Sequence, residues 1–190
     1  MSSLIRTIKA VRQNRNLFSL IQRNISQTAS IMAPVKVGDP LPNYELYEDS
    51  PANKINIVEL CCNKKIVIFG VPGAFTPGCS KTHLPGYVEK ADEIKCEQGV
   101  DEIICISVND PFVMSAWGKD HGACGKVRML ADPAAAFVKE LDLGIDLPPL
   151  GGFRSKRFSM VVENCQITEL NVEPDGTGLS CSLAQNLGKH

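Results

Sequence analysis

Apolar and polar positions along the chain fall into blocks of strand and helix length. Asn43 to Tyr47 alternates weakly and predicts a short strand; Pro51-Ala52-Asn53 predicts a turn; Lys54 to Leu60 predicts a strand running into a helical turn. Ile66 to Val71 is an uninterrupted apolar run of strand length, the signature of a central strand covered on both faces. Residues 79–98 predict a helix. Val88, Ala91 and Ile94 keep helical spacing, Pro85-Gly86 kinks or interrupts the start, and Gly99 stops it. Glu102 to Val108 is a second buried strand. Asn109-Asp110-Pro111 then opens a helix with Pro just inside its start, carrying Phe112, Val113, Ala116 and Trp117 to His121-Gly122. A strand at Val127 to Leu130 and a capped helix from Asp132-Pro133 follow, with Ala135, Phe137, Val138 and Leu141 on the helix. Residues 142–156 read as loop, and 157–163 with 166–172 as a hairpin turned at Glu163-Asn164-Cys165. Residues 173–178 read as a tight turn and 181–187 as a short terminal helix. Strands alternating with helices, then a hairpin, predict an α/β layered domain around a mixed sheet.

Charge divides the chain. Of 20 basic residues, five (Arg6, Lys9, Arg12, Arg15, Arg23) lie in residues 1–32, and the first acid is Asp39. The remainder holds 15 basic and 21 acidic residues, a net of −6, which argues against a nucleic-acid footprint. Residues 1–32 are Arg-rich, Ser-bearing and acid-free, with Leu4, Ile8 and Val11 on one helical face. That is the composition of a mitochondrial presequence, disordered or cleaved; the alternative is a basic tail. Residues 33–190 are expected to be the folded domain, and initiation at Met32 would supply a cytoplasmic pool of it. No apolar run approaches the ~20 residues of a membrane span, so no membrane partner is expected.

Eight cysteines, at 61, 62, 79, 96, 105, 124, 165 and 181, form no C-x-x-C and no zinc-type spacing with histidines. Cys79 stands apart. It lies within Gly70-Val71-Pro72-Gly73-Ala74-Phe75-Thr76-Pro77-Gly78-Cys79-Ser80-Lys81-Thr82-His83-Leu84-Pro85-Gly86, at the point where loop becomes helix. Helix-start amides and the macrodipole favour an anion there. A free thiol, with pKa about 8.5, is only a few per cent ionised at neutral pH, so a reactive cysteine needs such help. Thr76, three residues earlier, can bring its hydroxyl beside the sulfur, to donate to the thiolate or to a substrate oxygen. Pro72 and Pro77 stiffen the loop, Pro72 shields the sulfur, and Gly73 and Gly78 let backbone amides approach a ligand. His83, at i+4, closes the pocket floor or biases the thiolate. Trp117 and Phe112 are expected in core or interface, Asp110 as a helix cap, and His121 and His190 at the surface. Cys105 is read as a core hydrophobe and Cys61, Cys62, Cys96, Cys124 and Cys165 as unreactive.

The 17-residue stretch resembles the active-site loop of peroxiredoxins of the type-5 group, in its mitochondrial animal form. Asn109-Asp110 with Phe112-Val113 and Trp117, Gly125 to Arg128, Leu130-Ala131-Asp132-Pro133, Lys156 to Val162 and Asn171 to Cys181 resemble it too. The resemblance covers about 33–185. It implies a thioredoxin-like fold, a central mixed β-sheet flanked by helices, and thiol-dependent reduction of hydrogen peroxide, alkyl hydroperoxides and peroxynitrite. It further implies that Cys79 is peroxidatic, Pro72, Thr76 and Arg157 serve it, and Cys181 resolves it within the same chain as a disulfide. Arg157 at a strand start suits that role, since a guanidinium fork can hold thiolate and peroxide oxygen together. Arg154 and Lys156 beside it are expected to be solvated charges. Gly78 and Cys79 amides would join Thr76 and Arg157 around the substrate. Thioredoxin is the implied reductant, no cofactor or metal is required, and a monomer or weak homodimer is expected. Gly188-Lys189-His190 does not match the peroxisomal tripeptide seen in some members. Two other readings stay open: a relay that passes its oxidation to a partner, and a non-catalytic thioredoxin-fold binding protein.

Overall fold

The computed structural model describes residues 34–189; the presequence reading of residues 1–32 and the reading of His190 lie outside them. Seven strands form one sheet. They are β1 (Glu45–Glu48), β2 (Ser50–Asn56), β3 (Lys65–Val71), β4 (Glu102–Ser107), β5 (Arg128–Ala131), β8 (Phe158–Glu163) and β9 (Gln166–Val172), in the order β2-β1-β5-β4-β3-β8-β9. β3 runs parallel to β4 and β4 to β5, and every other pairing is antiparallel. This is the expected mixed sheet.

Alternation along β3 sorts the core into two halves. Val67, Phe69 and Val71 face one side, with Tyr87, Met114 and Trp117; Ile66 and Ile68 face the other, with Phe137, Val138 and Phe158. Burial on both faces explains why the sequence of β3 is continuously apolar rather than alternating. Helix α1 (Ile57–Cys61) is capped by the Asn56 side chain, which accepts from the Val58 and Glu59 amides. On the Val67 side lie α2 (Leu84–Glu89), α3 (Ala91–Gln98) and α4 (Pro111–Asp120). The Asp110 carboxylate caps α4 through the Val113 amide at 3.0 Å. Trp117 is buried as expected, whereas Phe112, on the outer side of α4, is 62% exposed. His121 is half-buried, its ring edge-on to Trp117.

Several elements differ from expectation. The turn placed at Pro51 to Asn53 is strand, and the chain reverses at Asp49, whose φ is +61°. The long helix is disturbed twice: a π turn, Cys79–His83, runs directly into Leu84-Pro85, next to the kink expected at Pro85-Gly86, and a second break falls at Lys90 (φ −92°, ψ 5°). α5 (Ala136–Glu140) starts three residues later than Pro133 suggested, because Ala135 is left-handed at φ +55° and the Asp132 carboxylate reaches forward to the Ala136 and Val138 amides. The predicted loop 142–156 contains a separate antiparallel pair, β6 (Gly144–Leu147) and β7 (Gly152–Ser155). The expected terminal helix is only a single 3₁₀ turn, Ala184–Asn186. The β8–β9 hairpin turns through Asn164 and Cys165, both at positive φ, as a two-residue turn matched to strand twist requires.

Candidate active site

The 17-residue stretch leaves β3 at its carboxyl end, next to the carboxyl end of parallel β4, where open α/β sheets present their sites. Val71, Pro72 and Gly73 are buried. The Ser107 hydroxyl at the end of β4 shares its one proton between the Val71 carbonyl (3.1 Å) and Asn109 Oδ1 (2.8 Å), and Asn109 Oδ1 accepts the Ala74 amide at 3.0 Å. The loop is therefore pinned to β4 by two polar side chains. Gly78 is already helical (φ −64°, ψ −38°), and Cys79–His83 forms one turn of π-helix, closed by the Leu84 amide on the Cys79 carbonyl. Such single π turns recur at functional sites. This one directs both Cys79 and His83 inward, at 0% and 1% exposure.

Arg157 is the partner of the sulfur. It precedes β8 and is 4% exposed. Its Nη1 donates to Cys79 Sγ at 3.4 Å and to His83 Nδ1 at 3.2 Å, and its Nε donates to the Thr177 carbonyl at 3.1 Å. Its backbone is held by the Gly176 carbonyl and the Glu173 amide. The resemblance assigns this cation to the cysteine; the fold holds it from three sides. Gly78 makes room for it, because a Cβ there would lie 3.1 Å from Arg157 Nη2.

His83 is neutral. Burial, foremost, and then the Arg157 charge push its pKa down to about 3, against the Ser182 contact, which raises it. Its tautomer follows from its neighbours. Arg157 only donates, so Nδ1 accepts; the Ser182 carbonyl only accepts, so Nε2 carries the proton, 3.0 Å away. The ring lies edge-on to Phe69 and Tyr87, which stack on one another at 4.0 Å. His83 thus closes the pocket floor, as one of its two readings had it, and exerts no positive charge on the thiolate. Its work is to hold Arg157, a role the i+4 spacing alone did not reveal.

Thr76 sits in the loop as expected, but its hydroxyl proton goes to the Gly73 carbonyl at 2.9 Å rather than to the sulfur. Trp117 Nε1 donates to Ser80 Oγ at 2.9 Å, tying α4 to the residue after Cys79. Arg154 and Lys156 are not simply solvated: Arg154 donates to the Val108 and Leu150 carbonyls and Lys156 to the Asp142 carbonyl, bracing β7 and its flanks.

Cys181 is half-buried and, like Cys79, a free thiol. Its amide and those of Ser180 and Ser182 all donate to Glu173 Oε1, at 2.8–3.0 Å. Glu173 and Asn109 both lie in segments that carry the resemblance, but their contacts were not read from the sequence, because their partners are set by turns. Cys105 is buried in β4, and desolvation raises its thiol well above the ordinary range. Burial pushes Cys61 up to about 12. Cys62, Cys96 and Cys124 are exposed. Among the described residues, no group of three or more His, Cys, Asp or Glu is placed to hold a metal ion.

Residues 36–186 match the family model described as Redoxin. The chain is 44% identical over 162 residues to Peroxiredoxin-2D of Arabidopsis thaliana, covering 83% of this chain and 99% of that protein. The chain is a peroxiredoxin. Its fold is shared with the reduced Prx3 of Vibrio vulnificus in complex with hydrogen peroxide (TM-score 0.75, 43% identity, 80% of this chain and 96% of that one). It is shared also with peroxiredoxin 5 of Alvinella pompejana (TM-score 0.70, 42% identity, 78% and 96%). The thioredoxin-like fold and thiol-dependent peroxidase activity expected from the loop motif are thereby established for this peroxiredoxin.

Proposed function

We propose that this peroxiredoxin belongs to the type-5 group and works through two cysteines. The Cys79 thiolate attacks the terminal oxygen of a hydroperoxide, hydrogen peroxide among them. The O–O bond breaks, the second oxygen leaves as an alkoxide or hydroxide that takes up a proton, and Cys79 becomes a sulfenic acid. The observation that carries this reading is the Arg157 Nη1 to Cys79 Sγ contact at 3.4 Å, a permanent cation against a buried sulfur. Nη2, which lies against Gly78, is assigned to the peroxide oxygens together with the Gly78 and Cys79 amides. Because Thr76 gives its proton to Gly73, its oxygen serves as acceptor for the peroxide O–H. Pro72, buried at the strand end, keeps water from the sulfur.

Cys181 then attacks the sulfenic sulfur. An S–S bond forms, the S–O bond breaks, and hydroxide leaves as water. Disulfide formation needs Cα atoms about 4.4–6.8 Å apart, and this reading has segment 180–182, whose three amides are held by Glu173, leave that seat for the step. A thioredoxin-type dithiol returns the disulfide to two thiols. The test is peroxide consumption with thioredoxin, its reductase and NADPH. Cys79→Ser abolishes turnover, and Cys181→Ser keeps one equivalent of sulfenic acid but loses cycling. Activity surviving in Cys79→Ser, or a Cys79–Cys165 crosslink in the oxidised monomer, overturns the assignment.

We further infer mitochondrial targeting through residues 1–32 and a monomer or weak homodimer. Tagged full-length chain and a form starting at Met32 should distribute differently between mitochondria and cytoplasm, and identical distributions refute the targeting. Sedimentation of the reduced protein as a tight dimer at micromolar concentration refutes the oligomeric reading.

A further inference from the structure

Glu173 is almost wholly buried, at 1% exposure, and lies outside the reacting groups. Its carboxylate accepts from three consecutive amides, Ser180, Cys181 and Ser182, and from the hydroxyls of Ser180 (2.6 Å) and Ser182 (2.7 Å). One side chain thus clamps the whole segment that carries Cys181. The clamped segment in turn presents the Ser182 carbonyl inward. That carbonyl accepts from His83 Nε2 at 3.0 Å and from the Tyr87 hydroxyl at 2.9 Å. His83 Nδ1 accepts from Arg157 Nη1, which holds Cys79 Sγ. Hydrogen bonds, joined through the Ser182 backbone, link the Glu173 carboxylate to the Cys79 sulfur.

We propose that Glu173 is a positioning residue with opposite effects on the two half-reactions: seating segment 180–182, it holds the Ser182 carbonyl, His83 and Arg157 in place for peroxide attack, and it restrains Cys181 from closing the disulfide. This rests on the reading of Cys181 as resolving cysteine. The charges agree with it. Burial raises the Glu173 carboxyl, yet the Ser180 and Ser182 donations outweigh burial and hold it down to about 2, so the clamp is an anion throughout the physiological range. Burial, and next the Glu173 carboxylate, raise the Cys181 thiol, so the seated cysteine is a poor nucleophile. Leaving the seat removes both restraints. It also takes the Ser182 carbonyl from His83, so the site that has just reacted loses the support of its arginine while the disulfide forms.

The test is rapid mixing of reduced full-length protein with hydrogen peroxide, followed by the fluorescence of Trp117, the single tryptophan, whose indole bonds the residue beside Cys79. Two phases are read, oxidation of Cys79 and disulfide closure, with mass spectrometry assigning each product. In Glu173→Gln, which keeps the shape and loses the charge, oxidation slows by about three- to tenfold and closure accelerates by about threefold or more, the sizes expected for one or two weakened hydrogen bonds. Sulfinic acid at excess peroxide falls accordingly. Glu173→Asp, charged but one methylene shorter, shows the same signs with smaller changes and covers the case in which Glu173→Gln fails to fold. In a Cys181→Ser background the slowed oxidation persists, since that route runs through the Ser182 backbone. Unchanged rates in the folded variants, or oxidation and closure slowing together, overturn the proposal. A closing phase that persists in Cys181→Ser alone would instead refute the resolving role, while leaving the oxidation arm as the reading of the clamp.

Discussion

Gly78→Ala separates the placement of the arginine from the stability of the fold. Gly78 has ordinary helical angles (φ −64°, ψ −38°), so alanine meets no backbone strain. In a helix the change alone gains about 0.5–1 kcal/mol. The new methyl, however, arrives 3.1 Å from Arg157 Nη2, 3.5 Å from Leu179 Cδ1 and 3.9 Å from Arg157 Cζ. A guanidinium can yield by a few tenths of an ångström, and it yields away from Gly78. It is tethered by Thr177 and His83, so the 3.4 Å contact to Cys79 Sγ is the one that adjusts. A hydrogen bond to a charged group contributes about 1.5–3 kcal/mol. Forfeiting about 1 kcal/mol of it in the transition state slows oxidation about fivefold. Arg157→Gln, which removes the charge entirely, sets the limit at roughly 10- to 100-fold. The assay is the second-order rate constant for peroxide oxidation of Cys79, measured beside the urea midpoint of each variant. The expected pattern is a slower reaction in a protein at least as stable as the parent. A Gly78→Ala rate within twofold of wild type refutes the reasoning. A fall in stability of more than about 1 kcal/mol, comparable to the ordinary cost of overpacking, does so too, since it would mean the methyl disturbs packing and not the guanidinium.

Gly70→Ala should be stable only in part, because its Cβ would fall 2.1 Å from Phe158 Cε1 within the sheet; a loss of about 1–3 kcal/mol in chemical denaturation is expected. His83 has its pKa depressed from 6.5 to about 3 in the fold, so its contribution is complete above about pH 6.5 and is lost as pH falls toward 3. Glu173, depressed from 4.5 to about 2, loses its contribution only below about pH 4.5. His83→Gln should therefore flatten the dependence of the denaturation midpoint between pH 6.5 and 4.5 and leave the more acidic limb in place. Brief iodoacetamide treatment of the native reduced protein should label Cys62, Cys96 and Cys124 and spare Cys61 and Cys105, read by peptide mass spectrometry; early labelling of Cys105 would contradict its burial in β4.

The layered fold and the candidate reacting atom were legible in the sequence. The apolar runs at β3 and β4 have the length and composition of strands buried on both faces, and the stretch from Gly70 to Gly86 singles out Cys79 through its resemblance to a peroxiredoxin active-site loop. Local chemistry of that kind is written in order along the chain. The π turn was not, since one extra residue in a helical turn leaves no mark in the hydrophobic period. Nor was the pair β6–β7, whose short strands carry too few alternating positions to stand out from a Gly- and Pro-rich loop. How residues far apart in the chain meet was settled by the fold; Arg157 and Cys79 are 78 positions apart. Arg157 reaches Cys79 because β8 lies antiparallel to β3, and its aim is set by the Thr177 carbonyl, a neutral histidine and the bare backbone of Gly78. Glu173 meets Ser180 to Ser182 because a turn folds one back on the other, and a turn's partners are fixed by direction, which residue type does not encode. Family membership could be read from the order of residues; the seating of Cys181 on Glu173 and the contact of Arg157 with Cys79 depend on hydrogen bonds between groups that only turns and strand pairing bring together, and so are visible only once the chain is folded.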